Sequence, residues 1–295
     1  MRAGIDLGGT KIEGILLDKN GHETFRKRIP TQQESGYSGI LDRIAALYTD
    51  LAKAAGSHRP SLGIGTPGAI SHKTGLLKNS NTQCLNGQPL GTDLEKKLGV
   101  PLVLENDANC FALAEAMLGA GRGKNMVFGV IMGTGCGGGL VIQGRLHRGL
   151  QAIGGEWGHM VIDPQGPPCY CGARGCVETM ISGGGLQKRF ELDTGEMRSF
   201  EEIVARARAG ERFAKKFFAR FLKDFGRAVA NLINILDPDI LVLGGGVSNL
   251  DELYTLGRRE IESQVFSDSL ETPVVRHALG DSAGVIGAAL IGAQR

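Results

Sequence analysis

The sequence predicts a two-domain α/β protein, on three observations. The segment Gly4-Ile-Asp6-Leu-Gly8 returns as Gly129-Val-Ile-Met-Gly133 at an offset of 125 residues, and at the same offset Gly14-Ile-Leu-Leu17 falls on Gly139-Leu-Val-Ile142. Apolar strand patterns then alternate with helical ones, which is how strands and helices are layered in α/β folds. Finally, 295 residues exceed what one compact core usually holds.

Each repeated copy reads as an apolar strand, a glycine-rich turn and a second apolar strand, a β-hairpin whose turn is more open than chain reversal requires. After the first copy, Ile40, Ile44, Leu47 and Leu51 recur at helical spacing, and an apolar strand from Leu102 to Leu104 leads to a helix carrying Cys110, Leu113 and Met117. Beyond the second copy, Ser199 and Glu202 form a capping box ahead of Ile203 and Val204. A long amphipathic helix with Phe217, Phe221, Phe225, Val229, Leu232 and Leu236 on one face stops at Asp237-Pro238. The buried strand Ile240-Leu-Val-Leu243 follows, and the chain closes with an apolar, glycine-spaced segment from Ser282 to Ala293 that reads as a final helix. We place the N-terminal α/β domain at 1–116, completed by the C-terminal helix 282–295, and a larger α/β domain at 117–281.

Charge is balanced, with 33 basic and 31 acidic residues, a formal net charge of +2 and no long run of one sign. Neither nucleic acid nor an anionic membrane is therefore expected as principal partner. No apolar run reaches the ~18 residues of a membrane span, and no basic-apolar-small leader precedes Met1-Arg-Ala-Gly-Ile-Asp6. A soluble, cytoplasmic protein is expected. Of six cysteines, Cys84, Cys110 and Cys136 read as small buried residues. Glycine is the outlier, at 46 of 295, clustered where backbone must approach something closely.

The other three cysteines stand in Cys169-Tyr-Cys171-Gly-Ala-Arg-Gly-Cys176-Val-Glu178, preceded by Gly154-Gly-Glu156-Trp157-Gly158-His159. Three thiolates and one imidazole suit tetrahedral zinc with no vacant position, a structural site. The alternatives are three unrelated buried cysteines beside a core histidine, or a disulfide framework; the latter needs an oxidising compartment. The turn Asp6-Leu-Gly8-Gly9-Thr10-Lys11 offers a polyphosphate bare backbone N–H groups, a hydroxyl and a cation, with Asp6 placed to reach magnesium through water. Gly133-Thr134-Gly135-Cys136-Gly137 offers the same backbone, and Gly244-Gly245-Gly246 would pass a nucleoside over it or allow close strand–helix packing. Taken singly, either turn is equally a tight hairpin; repetition at matched positions favours phosphate.

Phosphoryl transfer needs a carboxylate to accept the proton of the attacking hydroxyl. Asp107, at a strand-to-helix junction, is the candidate, and it equally suits a helix cap. Asn106 offers directional hydrogen bonds to a polyol, whereas Glu105 reads as solvated or locally paired. Glu156, His159 and Glu178 surround the cysteine cluster and are candidates for sugar hydroxyls. With one ring nitrogen of His159 on the metal, the other can donate to a sugar hydroxyl or a carboxylate. Asn81, in Lys78-Asn79-Ser80-Asn81, is a further candidate, equally a solvated loop residue.

Together, Asp6-x-Gly-Gly-Thr-Lys11, Glu105-Asn-Asp107, Gly155-Glu-Trp-Gly-His159 and Cys169-x-Cys-Gly-x-x-Gly-Cys-x-Glu178 resemble the ROK family of sugar kinases and sugar-responsive repressors, over essentially the whole chain. Asn79-Ser-Asn81, Leu85-Asn-Gly-Gln-Pro89, Cys169-Tyr-Cys171 and Ile235-Leu-Asp-Pro-Asp239 look most like bacterial fructokinases of the manno(fructo)kinase type, with N-acetylglucosamine kinases a step further off. The resemblance implies a two-domain actin-like ATPase (ribonuclease H-like) fold with a cleft between the domains, where ATP with magnesium meets a hexose. It implies Asp107 as base, Asn81, Asn106, Asp107, Glu156, His159 and Glu178 at the sugar, His159 serving zinc and sugar together, and a homodimer. Fructose to fructose 6-phosphate is the expected reaction; N-acetylglucosamine, glucose and N-acetylmannosamine are the alternative substrates, and a non-catalytic sugar-sensing regulator is the alternative class. The strand leading to Asp6 begins almost at Met1, which leaves no room for a DNA-reading helix-turn-helix and favours the enzyme.

Overall fold

A computed structural model describes residues 1–71 and 73–294. In chain order its elements are β1 (Arg2–Leu7), β2 (Lys11–Leu17), β3 (Glu23–Pro30), α1 (Gly36–Ala55), β4 (Ser61–Thr66), β5 (Ala69–Ile70), β6 (Leu77–Lys78), α2 (Leu90–Leu98), β7 (Leu102–Asn106), α3 (Asp107–Leu118), β8 (Met126–Met132), β9 (Cys136–Ile142) and β10 (Arg145–Leu146). They continue as α4 (Val177–Ile181), α5 (Gly183–Thr194), α6 (Phe200–Arg208), α7 (Arg212–Leu236), β11 (Ile240–Gly244), α8 (Leu256–Glu262), β12 (Val274–Arg276) and α9 (Ala283–Ile291). Two compact units result: unit 1 comprises Met1–Arg122, Gly144–Ile153 and Leu279–Arg295, and unit 2 comprises Gly123–Gln143 and Gly154–Ala278.

Both repeated segments are hairpins. In unit 1 the strands lie in the order β3-β2-β1-β4-β7, with β1 antiparallel to β2 but parallel to β4. In unit 2, β9-β8-β11-β12 repeats that plan, β8 pairing antiparallel with β9 and parallel with β11. An antiparallel hairpin joined to parallel strands, doubled within one chain, is the two-domain actin-like ATPase fold.

The core of unit 1 depends on glycine where α9 meets the sheet and α3. A β-carbon on Gly63 of β4 would fall 2.0 Å from the Ala288 carbonyl oxygen, and one on Gly287 of α9 would fall 1.8 Å from that of Cys110. Backbones meet there with no room for a methyl group, so α9 can lie sandwiched and apolar on all sides. Glu115 is fully buried yet satisfied: it accepts the Ala120 N–H at 2.9 Å past the end of α3 and the Leu279 N–H at 2.9 Å at the approach to α9. Met117, expected on the apolar face of α3, is instead 39% exposed, because the last turn of the helix leaves the core.

In unit 2, α7 buries Phe217, Phe221, Phe225, Val229 and Leu232 and ends where Asp237 turns left-handed at φ 43°. The capping box of Ser199 and Glu202 opens α6. One buried ion pair, Arg189 to Asp224 at 3.0 Å, ties α5 to α7, and Arg189 also donates to the Met180 carbonyl at 2.7 Å. Among the described residues, no helix is long and apolar enough to cross a membrane.

Candidate functional site

In unit 1, the turn between β1 and β2 is held by its acceptors. The Gly8 N–H donates to Lys11 O at 3.0 Å, the Thr31 hydroxyl donates to Gly8 O at 2.7 Å, and the Gln33 amide donates to Gly9 O. None of these contacts uses a donor of Gly9 or Thr10, and donors are what an anion needs. Asn81 is exposed and precedes the buried Thr82, whose hydroxyl would lie 3.8 Å from a β-carbon on Gly9. The Asn81 loop therefore flanks the β1–β2 turn.

Asp6 is the next-to-last residue of β1, beside that turn. A β-carbon on Gly65 of β4 or Gly284 of α9 would stand 3.4 or 3.3 Å from its carboxylate oxygens. Burial pushes the Asp6 carboxyl up to about 7, with repulsion from Asp107 and Glu13 adding and Lys11 opposing. The folded chain thus keeps the Asp6 proton between about pH 4 and about pH 7, where the unfolded chain has lost it, so this group's contribution to stability falls as pH rises through that window. Asp6→Asn should consequently melt higher than wild type at pH 8, with the gain fading by pH 4. Melting scans at both pH values check this, and a gain independent of pH would show that the carboxylate is not its source.

Asp107 is exposed at the first residue of α3. The expected cap is corrected in part. Asn106 is the N-cap residue, its side-chain oxygen accepting the Ala108 N–H at 2.9 Å, while an Asp107 oxygen lies 2.8 Å from the same N–H. Asn106 also donates to Gly68 O at 3.1 Å, so both ends of its amide already brace the junction. Glu105 is not solvated: only 10% of its side chain is exposed, and it accepts from Asn109 at 2.9 Å and from Arg148 at 2.6 Å.

In unit 2 three glycine segments converge. Gly183 and Gly184, opening α5, donate their N–H groups to Gly133 O at 2.8 Å and Thr134 O at 3.1 Å, and Gly245 (φ 79°) lies so close that a β-carbon would be 2.4 Å from Met132 O. The run Gly183-Gly184-Gly185 was missed by sequence reasoning, although three successive glycines were the available signal. Gly137 accepts the Trp157 indole N–H at 2.8 Å, docking the segment that carries Glu156 and His159 onto β9. Glu178, in the first turn of α4, accepts the Cys136 N–H at 3.0 Å, so one carboxylate reaches from the cysteine loop to the β8–β9 turn.

The cysteine loop folds back on itself through Cys169 N–H to Ala173 O at 2.9 Å and Gly172 N–H to Cys169 O at 3.1 Å, with Gly172 and Gly175 at positive φ. Ligand atoms of His159, Cys169, Cys171 and Cys176 all lie within 4.8 Å of one another. Cys171 and Cys176 sulfurs are 3.6 Å apart, as are the Cys169 sulfur and His159 Nδ1. Tetrahedral zinc with bonds of about 2.3 Å to sulfur separates its ligands by about 3.8 Å, so the donor set and its spacing fit that ion. The Ala173 N–H and the neighbouring thiols lower the Cys171 thiol to about 7, whereas burial raises Cys169 and Cys176.

His159 Nε2, expected to face a sugar hydroxyl or a carboxylate, meets the Tyr170 hydroxyl at 3.0 Å, and the two rings stand edge to face. Most of Tyr170 is open to solvent, and partial desolvation, then the charges of Glu178, Cys169 and Glu156, push the phenol up to about 12. A cavity of about 210 Å³ adjoins it, lined by Thr134, Tyr170, Glu178, Ser182, Gly185 and Lys188 among others. The structure thus gathers the four metal-type ligands, sets Glu178 beside both the metal cluster and the glycine turn, and brings Asp6 within electrostatic reach of Asp107.

A family model described as the ROK family matches residues 2–295. The chain is 36% identical over 304 residues to an N-acetyl-D-glucosamine kinase of Pectobacterium atrosepticum, covering 99% of this chain and 98% of that protein. Among solved structures, a ROK hexokinase from Thermus thermophilus superposes with a TM-score of 0.87 at 34% identity, over 98% of this chain and 96% of that one. A ROK family glucokinase from Streptomyces griseus, in complex with glucose and AMPPNP, superposes with a TM-score of 0.77 at 30% identity, over 100% of this chain and 99% of that one.

Proposed function

This chain belongs to the ROK family, and we propose that it is an ATP-dependent sugar kinase in which Asp107 takes the proton of a hexose hydroxyl as that oxygen attacks the terminal phosphorus of ATP. The reading rests above all on Asp107 itself: an exposed carboxylate on the first turn of a helix that Asn106 caps, electrostatically linked to Asp6 beside the glycine turn. A helix N-terminus favours the ionised, proton-accepting form.

The proposed ATP contacts are Gly8, Gly9, Thr10, Lys11, Gly133, Thr134, Gly135 and Gly137 for the phosphates and Gly244, Gly245 and Gly246 for the nucleoside. Magnesium bound with ATP supplies neutralising charge, and Asp6 would hold it through water; a cation there relieves the Asp6–Asp107 repulsion. Asn81, Asn106, Glu156, His159 and Glu178 would orient the sugar. Zinc at His159, Cys169, Cys171 and Cys176 has no open position and would brace the loop that presents Glu178.

The choice of hexose divides on two observations. Cys169-Tyr-Cys171 and the Asn79-Ser-Asn81 loop resemble fructokinases, giving fructose 6-phosphate, while 36% identity to an N-acetylglucosamine kinase supports an aminosugar or glucose. Epimers differ only in hydroxyl placement, so discrimination comes from a few hydrogen bonds. The deciding experiment measures ATP consumption with magnesium on fructose, mannose, glucose, N-acetylglucosamine and N-acetylmannosamine, with the phosphorylated carbon located by NMR. We expect one hexose to be phosphorylated at its primary hydroxyl; sugar binding without ATP consumption would instead make the chain a sugar sensor.

A further inference from the structure

The Tyr170 hydroxyl stands 3.0 Å from His159 Nε2, the one polar atom of that ring not turned toward the cysteine sulfurs. With Nδ1 directed to the metal cluster, Nε2 carries the hydrogen and is a donor, so the phenol oxygen is its acceptor. A sugar hydroxyl reaching His159 needs that same donor. Tyr170 therefore occupies the position that the proposed sugar reading assigns to substrate.

Three further observations make the residue a movable occupant rather than part of the loop's frame. Its side chain is 74% exposed, so little packing opposes rotation. The hairpin is closed by backbone bonds of Cys169, Gly172, Ala173 and Gly175, none of which involves the phenol. The ring also borders the cavity that Thr134, Glu178 and Lys188 line, which leaves open space beside it. Lys188 and Glu178 place a cationic and an anionic group on the wall of that cavity beside the apolar Pro167 and Pro168, so it can offer hydrogen bonds to a hydroxyl-bearing ligand.

We propose that Tyr170 is a gate at the sugar site, its hydroxyl standing in for a substrate hydroxyl at His159 Nε2 and swinging away when the hexose binds. Because displacement costs a hydrogen bond, the gate lowers the affinity of every sugar that moves the ring, and a ligand that places a hydroxyl on Nε2 recovers the lost bond. This inference rests on the sugar-kinase reading for the identity of the ligand, but not on turnover.

Tyr170→Phe removes the competing oxygen and keeps the ring. It is expected to lower KM for the hexose about three- to tenfold, with kcat within twofold, and to tighten the sugar Kd measured by calorimetry without ATP by a similar factor, the range a single neutral hydrogen bond spans. The ratio of affinities between the preferred hexose and its epimers is expected to stay the same, because each pays the same displacement cost. Zinc content should stay at that of wild type, since the phenol is not a ligand. A KM and Kd that are unchanged or higher would overturn the gate, and so would loss of metal, which would make Tyr170 part of the zinc mount. If wild type phosphorylates none of the five sugars, the kinase reading fails by itself; the Kd comparison still decides the gate.

Discussion

Replacing Asp107 with asparagine is expected to lower kcat by about 10²-fold or more while leaving the hexose Kd within a few-fold, because a general base acts only on the proton that moves in the transition state. The substitution is nearly isosteric, and the side-chain oxygen that approaches the Ala108 N–H is retained in kind. It also removes a negative charge that repels Asp6, so the folded state should melt no lower than wild type. That combination separates chemistry from folding: lost turnover with an intact or raised melting temperature assigns the base. A variant that turns over like wild type would leave Asp107 as a helix-end residue only.

Cys171→Ala is expected to have the largest effect on stability. Four ligand atoms lie within 4.8 Å of one another, and removing Cys171 leaves two sulfurs on the cysteine loop and the imidazole of His159 on the preceding segment, one ligand short of a closed set. We expect wild type to carry roughly one zinc per chain and the variant to lose it, with a fall in stability of about 3 kcal/mol or more, in the tail of single-substitution effects where lost metal sites lie. Treating wild type with a strong chelator should bring its melting temperature to that of the variant, and the two measurements check each other. A variant that keeps full zinc content and melts like wild type would remove the metal brace. Glu178 should report the same event locally, since it lies two residues past Cys176 and holds the Cys136 N–H.

The cysteine–histidine cluster was legible because metal ligands must be few, soft and close together, and three cysteines within eight residues state that proximity directly. The paired hairpins were legible for a similar reason: a strand, a bare turn and a strand have a local signature, and its recurrence at a fixed offset requires no knowledge of contacts. The capping box at Ser199 and Glu202 is likewise a short-range reciprocal bond. By contrast, nothing in the composition of 144–153 marks it as part of unit 1. Glu105 reads as solvated or locally paired; the local partner, Asn109, lies four residues on, but the ion pair to Arg148 joins residues 43 apart and leaves no local signal.

Asn106 and Asp107 show how closely these limits can lie. Residue type narrowed the helix cap to two neighbours, and only the backbone angle at Asn106, φ −66° and ψ 147°, selected it and left Asp107 facing outward. Tyr170 shows the same limit at the site. Its place between two cysteines was visible, whereas its hydroxyl on His159 Nε2 depends on a side-chain rotation that no spacing encodes.

By itself, the sequence determined the α/β class, the doubled hairpin with its glycine-rich turns and the cluster of metal-type ligands, because each follows from residues that interact across a few positions or repeat as a unit. The tertiary structure alone decided which glycines sit beneath α9, which carboxylates repel Asp6, how Gly183 and Gly184 brace the second turn and what stands in front of His159. These are contacts between segments far apart in sequence, set by how packed backbones exclude one another.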